Sequence, residues 1–195
     1  FESTDIIMHG VVNNSSYQLP QLAPDGNYCP DDILEFTITY NSDWNLIGLP
    51  LEVEDASYNY LFPESIDGTL YSFNDGYNSE SELIAGEGYW LRFVNFGSVT
   101  ITGSSINELT LSLSAGWNLI SGIYEELSIY SVSDPNNIIV PNTLYSFLDG
   151  YSISESLTPG QGYWIRTYEA GEITLSSGAS AKTSPMNYSL KAKAS

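Results

Sequence analysis

Carboxylates are the most abundant groups in this sequence that could do chemistry. The 24 Asp and Glu residues oppose only 5 Lys and Arg, for a formal net charge of -19. Hydrolysis of a glycosidic bond would need one carboxyl group with a raised pKa in an apolar pocket and a second carboxylate close by. We interpret the acids instead as a solvated surface, whose negative field argues against nucleic acid as a partner. Most lie in predicted turns or loops; examples are Asp67, Asp75, Asp149, Glu52, Glu54, Asp55, Glu125 and Glu126.

Nucleophilic and metal-ion chemistry would need residues that the sequence lacks. His9 is the only histidine and Cys29 the only cysteine, so a catalytic triad, a zinc cluster and an internal disulfide all lack their parts. We interpret Cys29 as a small buried hydrophobic residue. We predict no enzyme activity and no cofactor, with calcium as the alternative. Three segments approach the Asp-x-Asp spacing of calcium loops, but none repeats as a ligand set: Asp31-Asp32, Asn74-Asp75 and Asp134-Pro135-Asn136.

Two arginines give the most specific local signal. Arg92 and Arg166 are the only cations before Lys182, and each follows a Tyr-Trp pair. Strand alternation would place Trp90 and Arg92 on one face, and Trp164 and Arg166 likewise. Our main interpretation is structural: each guanidinium stacks on a neighbouring aromatic ring and pairs with a carboxylate. The alternative is an exposed platform of aromatic rings and arginine that stacks on a sugar.

Two further tryptophans, Trp44 and Trp117, each open a predicted strand. Leu46 and Leu119 follow two residues later and would lie on the same face. Large aromatic side chains in such strands are usually buried. We therefore predict that both tryptophans are core residues.

These residues recur because the sequence contains an internal repeat. The Trp-Asn-Leu-Ile block begins at Trp44 and again at Trp117, an offset of 73 residues (117 minus 44). Three more blocks follow in the same order, starting at residues 70 and 144, 86 and 160, and 97 and 171. The pattern predicts two homologous units, repeat 1 (33–105) and repeat 2 (106–178). A leader strand with a Pro-rich loop (1–32) precedes them, and a basic tail or linker (179–195) follows.

Each repeat is predicted to contain five short strands. Phe36, Ile38 and Tyr40 alternate with threonines, which is the period-two pattern of a half-buried strand. A short turn separates this strand from the Trp-Asn-Leu-Ile strand, so we predict that the two form a hairpin. The predicted fold is all-β, with two tandem homologous units that are small antiparallel β-barrels or β-sandwiches. The leader strand could pair with repeat 1 or belong to a preceding domain.

Segments 52–66 and 124–140 differ most between the repeats, which predicts loops. Aromatic residues there, and the tyrosines after the Asp-Gly turns, are amphipathic side chains that suit contact surfaces. Since tyrosine can also cover a core, we expect about half of the loop rings to be buried. The candidate binding residues are Tyr58, Tyr60, Phe62, Tyr77, Tyr124, Tyr130 and Tyr151.

Composition favours an extracellular protein. Few lysines together with many Asn, Ser, Thr and Tyr are typical of secreted surfaces, and the absence of Met at position 1 is expected of a processed or excised piece. No run of 18 apolar residues occurs, so we predict no membrane insertion.

The Trp-Asn-Leu-Ile, Leu-Tyr-Ser-Phe and Gly-x-Gly-Tyr-Trp-Leu/Ile-Arg blocks together resemble a repeat of large, secreted, modular bacterial proteins. That repeat commonly lies ahead of a type IX secretion sorting domain, and the resemblance covers residues 33–178. Segment 185–190 is similar to the lead-in to such a domain, but the Asn-Pro-Phe-Asn-Pro type motif expected next is not in the sequence. The resemblance implies an extracellular or cell-surface location and a non-catalytic role.

Duplication also argues against an enzyme, because two short repeats rarely build two complete active sites. We therefore expect a non-catalytic extracellular module of a bacterial surface or secreted protein, acting in adhesion, assembly or as a structural spacer. The alternative is a carbohydrate-binding module that targets an attached enzyme. The expected partner is a protein or glycan at a cell surface, or a second copy of the chain through self-association.

Overall fold

A computed structural model describes residues 33–178, which form several small antiparallel sheets and almost no helix. This confirms the all-β prediction. The sheets are of the β-sandwich type, and none closes into a barrel within the described range. The predictions for the leader strand, His9, Cys29 and the basic tail lie outside the described residues.

Repeat 1 contains seven strands and one helical turn. In chain order these are β1 (Leu34–Tyr40), β2 (Asp43–Gly48), β3 (Leu51–Glu52), α1 (Tyr58–Leu61), β4 (Tyr71–Phe73), β5 (Tyr77–Ser79), β6 (Gly88–Phe93) and β7 (Gly97–Ser105).

Repeat 2 contains eight strands, and a 3-10 turn (Ile129–Ser131) replaces the helical turn. The strands are β8 (Glu108–Leu113), β9 (Gly116–Ser121), β10 (Leu127–Ser128), β11 (Tyr145–Phe147), β12 (Tyr151–Ile153), β13 (Ser156–Leu157), β14 (Gly162–Thr167) and β15 (Gly171–Ser176).

Both repeats have the same strand order in their main sheets. The first long strand pairs antiparallel with the last, β1 with β7 and β8 with β15. Four other strands of each repeat form a second sheet, in the order β2-β6-β4-β5 in repeat 1 and β9-β14-β11-β12 in repeat 2. The shared blocks therefore correspond to a shared topology. The five strands predicted per repeat are all present, while β5 and β12 occupy segments that the sequence predicted as turns.

The predicted hairpin of the first two strands is wrong. Strand β1 pairs with β7 and β2 pairs with β6, so the chain crosses from one sheet to the other between them. The Asn45 side chain holds this crossover: its Oδ1 accepts from the Asn41 N–H at 2.9 Å, and its Nδ2 donates to the Asn41 and Asp43 carbonyls at 2.9 and 3.0 Å. Asp43 takes a φ of 74°, in the left-handed region. The side chain thus satisfies backbone groups that a hairpin would have paired.

Repeat 2 uses the same device. Asn118 Oδ1 accepts from the Ser114 N–H at 2.9 Å, and its Nδ2 donates to the Ser114 and Gly116 carbonyls at 2.9 and 3.2 Å. Gly116 takes the position of Asp43, with a φ of 98°. The asparagine of each Trp-Asn-Leu-Ile block is therefore a structural residue.

Each repeat has its own hydrophobic core, and a third cluster joins the repeats. Strand alternation turns Tyr89 and Leu91 of β6 toward the core of repeat 1, and Trp90 toward the other face. There Leu46 and Trp90 pack against Leu119 and Trp164 of repeat 2. The two four-stranded sheets are thus in contact, and the repeats share buried surface.

Backbones also touch between the repeats. The Gly48 N–H donates to the Gly160 carbonyl at 3.1 Å, and the Ser121 N–H donates to the Gly86 carbonyl at 2.8 Å. Gly88 lies so close to β9 that a Cβ atom built on it would lie 2.5 Å from the Ile120 carbonyl oxygen. Gly48 and Gly88 thus have no room for a side chain where the backbones of the two repeats approach each other.

We expect Asn45→Ala to lower the free energy of unfolding by about 2 kcal/mol, because three hydrogen bonds are lost and the Asn41 N–H loses its partner. Chemical denaturation measures this. The exposed Asn95, which makes no side-chain hydrogen bond among the described residues, provides the control Asn95→Ala, with a change within about 0.5 kcal/mol. Equal effects of the two substitutions would contradict this role of Asn45.

We expect Gly88→Ala to lower the free energy of unfolding by about 2–3 kcal/mol, because the new methyl group forces the two repeats apart. The control Gly171→Ala meets only the flexible end of Ile138 at 3.1 Å, and its expected cost is below about 1 kcal/mol. If Gly88→Ala unfolds at the same denaturant concentration as the parent chain, the close approach does not matter for stability.

Candidate functional site

Two open recesses flank the contact between the repeats. Recess 1 has a volume of about 500 Å³ and recess 2 about 410 Å³. Recess 1 is lined by Trp44, Thr69, Tyr71, Tyr77, Trp90 and Phe147, and recess 2 by Phe73, Trp117, Tyr145, Tyr151 and Trp164.

The aromatic linings are equivalent, and only Thr69 of recess 1 lacks a counterpart in recess 2. Trp44, Tyr71, Tyr77 and Trp90 of recess 1 correspond to Trp117, Tyr145, Tyr151 and Trp164 of recess 2. The fifth ring in each recess comes from the other repeat: Phe147 completes recess 1 and Phe73 completes recess 2. Neither recess would therefore exist in full without both repeats.

The rings are held in the same geometry on both sides. Trp44 meets Trp90 edge-on with ring centroids 6.4 Å apart, and Trp117 meets Trp164 at 6.3 Å, both with an interplanar angle of 89°. Phe147 lies 4.8 Å from Trp90, again edge to face. Such pairs stabilise a wall of fixed shape. All four tryptophans of the sequence line the recesses.

Trp44 and Trp117 are exposed, so the prediction that they are core residues is wrong. Their exposed fractions are 36% and 43%. Each lies near the open end of its strand, opposite an exposed arginine in the register: Trp44 opposite Arg92, and Trp117 opposite Arg166. The sequence signal for this exposure is the arginine on the facing strand, because a charged side chain is rarely buried and its cross-strand neighbour therefore lies near solvent. This signal can be used only when the strand register is known, and the register depends on the tertiary structure.

Arg92 confirms the structural interpretation for repeat 1. Its Nε donates to Asp43 Oδ1 at 2.7 Å, and its guanidinium carbon lies 5.8 Å from the centroid of the Trp44 ring. Both charged side chains are largely exposed, so the ion pair adds little stability. Arg92 and Asp43 are not part of the recess 1 lining but lie beside Trp44, which is. We call this position next to the exposed tryptophan the rim of the recess.

Arg166 departs from that prediction. The position equivalent to Asp43 is Gly116, and within residues 33–178 Arg166 makes neither an ion pair nor a cation-π contact. Arg166 is exposed and lies beside Trp117 across the strands. The two recesses therefore share their aromatic walls and differ in the charge at the rim.

Tyr77 and Tyr151, two of the candidate binding residues, lie on the edge strands β5 and β12 and are exposed by 59% and 57%. The structure brings both into the recess linings. Partial desolvation raises the pKa of the Tyr151 hydroxyl although the side chain is exposed; the neighbouring Trp164 indole opposes the rise and Tyr77 adds to it. Tyr151 therefore stays a neutral hydroxyl group at physiological pH.

Two buried indole N–H groups belong to the recess walls. Within the described residues, Nε1 of Trp90 and of Trp164 lacks a partner at hydrogen-bond geometry, although each side chain is only 9% exposed. Buried donors are nearly always satisfied by protein, water or ligand. The sequence predicts these two tryptophans only as partners of the arginines, because nothing local indicates that their N–H groups lack acceptors.

The loop residues divide into buried and exposed sets. Tyr58 and Phe62 are 4% and 1% exposed, which corrects their prediction as contact residues. The Tyr58 hydroxyl donates to Asp67 Oδ1 at 2.8 Å and accepts from the Gly68 N–H at 2.7 Å. Tyr58 begins the helical turn α1, whose apolar side covers the core of repeat 1. An apolar residue next to a β-core is buried wherever the turn aims it inward.

Tyr124 belongs to repeat 2 but packs on the core of repeat 1, where its ring meets Phe36 edge-on at 6.2 Å. Tyr60 and Tyr130 are 69% and 64% exposed. The structure leaves these two rings away from both recess linings. The sequence-based set of seven thus contributes Tyr77 and Tyr151 to the recesses.

The Tyr of each Gly-Tyr-Trp block has a structural role. The Tyr89 hydroxyl accepts from the Ile84 N–H and donates to Glu87, each at 2.9 Å, and Tyr163 makes the equivalent contacts with Thr158 and Gln161. Burial raises the pKa of Tyr89 far above its ordinary value, opposed by the hydrogen bond from Ile84.

Residues 33–178 contain neither a cluster of metal-ligating side chains nor a membrane-spanning helix. No group of three or more His, Cys, Asp or Glu side chains there could hold a metal ion. No helix in that range is long and apolar enough to cross a membrane. The predictions on cofactors and calcium stay predictions.

Comparison with known proteins finds no match: no family model, no curated protein and no solved structure is significantly similar to this chain.

We expect Phe62→Ala to lower the free energy of unfolding by about 3–5 kcal/mol, because it empties a fully buried site in the repeat 1 core. Tyr60→Ala, two residues earlier and exposed, is the matched control and should change stability by less than about 0.5 kcal/mol. Thermal and denaturant unfolding measure both. If Phe62→Ala lowers the free energy of unfolding no more than Tyr60→Ala does, segment 52–66 is not part of the core.

Proposed function

We propose that this chain is a non-catalytic extracellular binding module of a bacterial surface or secreted protein and that it adheres to carbohydrate through recesses 1 and 2. The observation that carries the proposal is the pair of equivalent open recesses, each with a half-exposed tryptophan above a wall of tyrosine, tryptophan and phenylalanine.

The shape and chemistry of the walls suit a sugar ring. A pyranose has an apolar face of C–H groups, which packs on an aromatic ring, and a rim of hydroxyl groups that need hydrogen-bond partners. Recess 1 offers the Trp44 ring beside the fixed pair of Asp43 and Arg92, an acceptor and a donor. A mainly apolar wall with a few well-placed polar groups is the usual composition of a specific ligand site.

Duplication supports binding to a polymer. Because the two recesses flank one contact between the repeats, a single polysaccharide, or two neighbouring polysaccharide chains, can occupy both. The second binding event is then intramolecular, so two weak sites give strong attachment. Adhesion needs this property more than it needs a tight single site.

The absence of catalysis is proposed from the kind of residue in the linings. Apart from Thr69 the lining side chains are aromatic, whereas glycoside hydrolysis uses two carboxyl groups across the bond. Support for an extracellular location comes from the secreted-type composition and from the resemblance of the three sequence blocks to secreted bacterial repeats.

Assembly with a protein partner or a second copy is the other candidate function. The edge strands β5 and β12 favour it, since all six of their residues are exposed and an open edge can accept another strand. Sedimentation of the chain at increasing concentration tests self-association separately from sugar binding.

We expect Trp44→Ala and Trp117→Ala each to weaken binding to a glycan-array ligand about tenfold, and the double variant to abolish it, because stacking on an aromatic ring contributes about 1–2 kcal/mol. Titration calorimetry and the fluorescence of the four recess tryptophans measure binding. Both side chains are partly exposed, so thermal unfolding should show folded variants.

The controls are Tyr60→Ala and Tyr130→Ala, which remove exposed aromatic rings outside the recess linings. They should bind as the parent chain does. Binding that survives loss of both Trp44 and Trp117, or no binding to any glycan on the array, would contradict the proposal. Release of reducing sugar from a bound oligosaccharide would contradict its non-catalytic part.

A further inference from the structure

The two recesses differ at one rim position, and this difference has chemical consequences. In recess 1 the Arg92 guanidinium is neutralised by Asp43 at 2.7 Å. In recess 2 the same position is Gly116, and Arg166 has no carboxylate partner within the described residues. Both arginines face their tryptophan at the same register position.

An arginine without a partner has a strong preference for one kind of ligand. Its planar guanidinium can donate two parallel hydrogen bonds to a carboxylate, and such charge-assisted bonds are about twice as strong as neutral ones. Arg92 cannot offer this without first giving up Asp43. We propose that recess 2 binds an acidic sugar, a uronic acid whose carboxylate pairs with Arg166, whereas recess 1 binds a neutral sugar.

This inference rests on the proposed function and names its ligand class. The wall of recess 2 supplies the apolar contact for the sugar ring: Trp117 is 43% exposed and lies beside Arg166. A uronic acid combines a ring that stacks with a carboxylate at its edge, which matches this pair of residues. A small inorganic anion would use the arginine and leave the rings uncovered.

The net charge of -19 disfavours a polyanion, as it does nucleic acid, but a single sugar carboxylate in recess 2 interacts mainly with the groups nearest to it. At physiological ionic strength charges are screened over about 8 Å, so the nearest groups decide the interaction. Repeat 1 carries 11 of the acids and repeat 2 carries 8, counted over 33–105 and 106–178. Arg166, which makes no ion pair within residues 33–178, thus lies in the less acidic repeat.

The test uses matched pairs of oligosaccharides, each a uronic acid trisaccharide and its methyl ester, with galacturonic, glucuronic and mannuronic acid as the three sugars. The ester keeps the ring and removes the charge. The protein is the full chain with Trp44→Ala, which leaves recess 2 as the intact site. Tryptophan fluorescence and calorimetry measure binding.

We expect the acid form to bind at least tenfold more tightly than its ester for one of the pairs, and we expect this preference to fall as salt rises. Arg166→Gln should remove the preference. Gly116→Asp should do the same by building the Asp43 ion pair into repeat 2. The backbone permits this change, since Asp43 already takes a φ of 74° against 98° at Gly116, and a Cβ there meets nothing within 4 Å.

The reverse exchange is the second test. In a chain with Trp117→Ala, Asp43→Gly should free Arg92 and give recess 1 a preference for the acid form. Equal binding of acid and ester, or a preference that survives Arg166→Gln, would overturn the inference and leave sugar binding intact. Failure of every acid and ester to bind, together with a glycan array without hits, would overturn both proposals.

Discussion

Close packing of the two four-stranded sheets against each other is the interaction on which the rest of the structure depends. Trp90 and Trp164 lie at its centre with Leu46 and Leu119. The backbones can approach because Gly88 has no side chain, so that β6 and β9 come into direct contact. Each sheet thereby covers an apolar face that it could not bury alone, and the two homologous repeats become one body.

The recesses are a by-product of that contact. The sheets meet around Leu46, Trp90, Leu119 and Trp164, and they leave aromatic residues partly uncovered on either side of this contact. Trp44 and Trp117 lie there, each half-exposed beside a buried tryptophan. The phenylalanine that completes each recess comes from the other repeat. Folding and the candidate site therefore use the same aromatic cluster, and a substitution at its centre would affect both.

The two repeats have the same fold but differ in the charge next to their exposed tryptophans. Asn45 and Asn118 hold the same crossover with the same hydrogen bonds, because every copy of the fold needs it. The residue just before each tryptophan, Asp43 or Gly116, needs only a left-handed backbone. Aspartate and glycine both tolerate that conformation. The rim charge can thus vary while the crossover is kept.

By itself the sequence determined the all-β class, the duplication, and the strands of the shared blocks, because side-chain alternation and repeated turns are local properties. Sheet pairing was decided only by the tertiary structure: the crossover at Asn45 replaced the predicted hairpin, since which strands pair depends on contacts distant in sequence. Exposure was decided there too. Trp44 became a surface residue and Phe62 a core residue because burial depends on what packs above a side chain, which strand spacing does not specify.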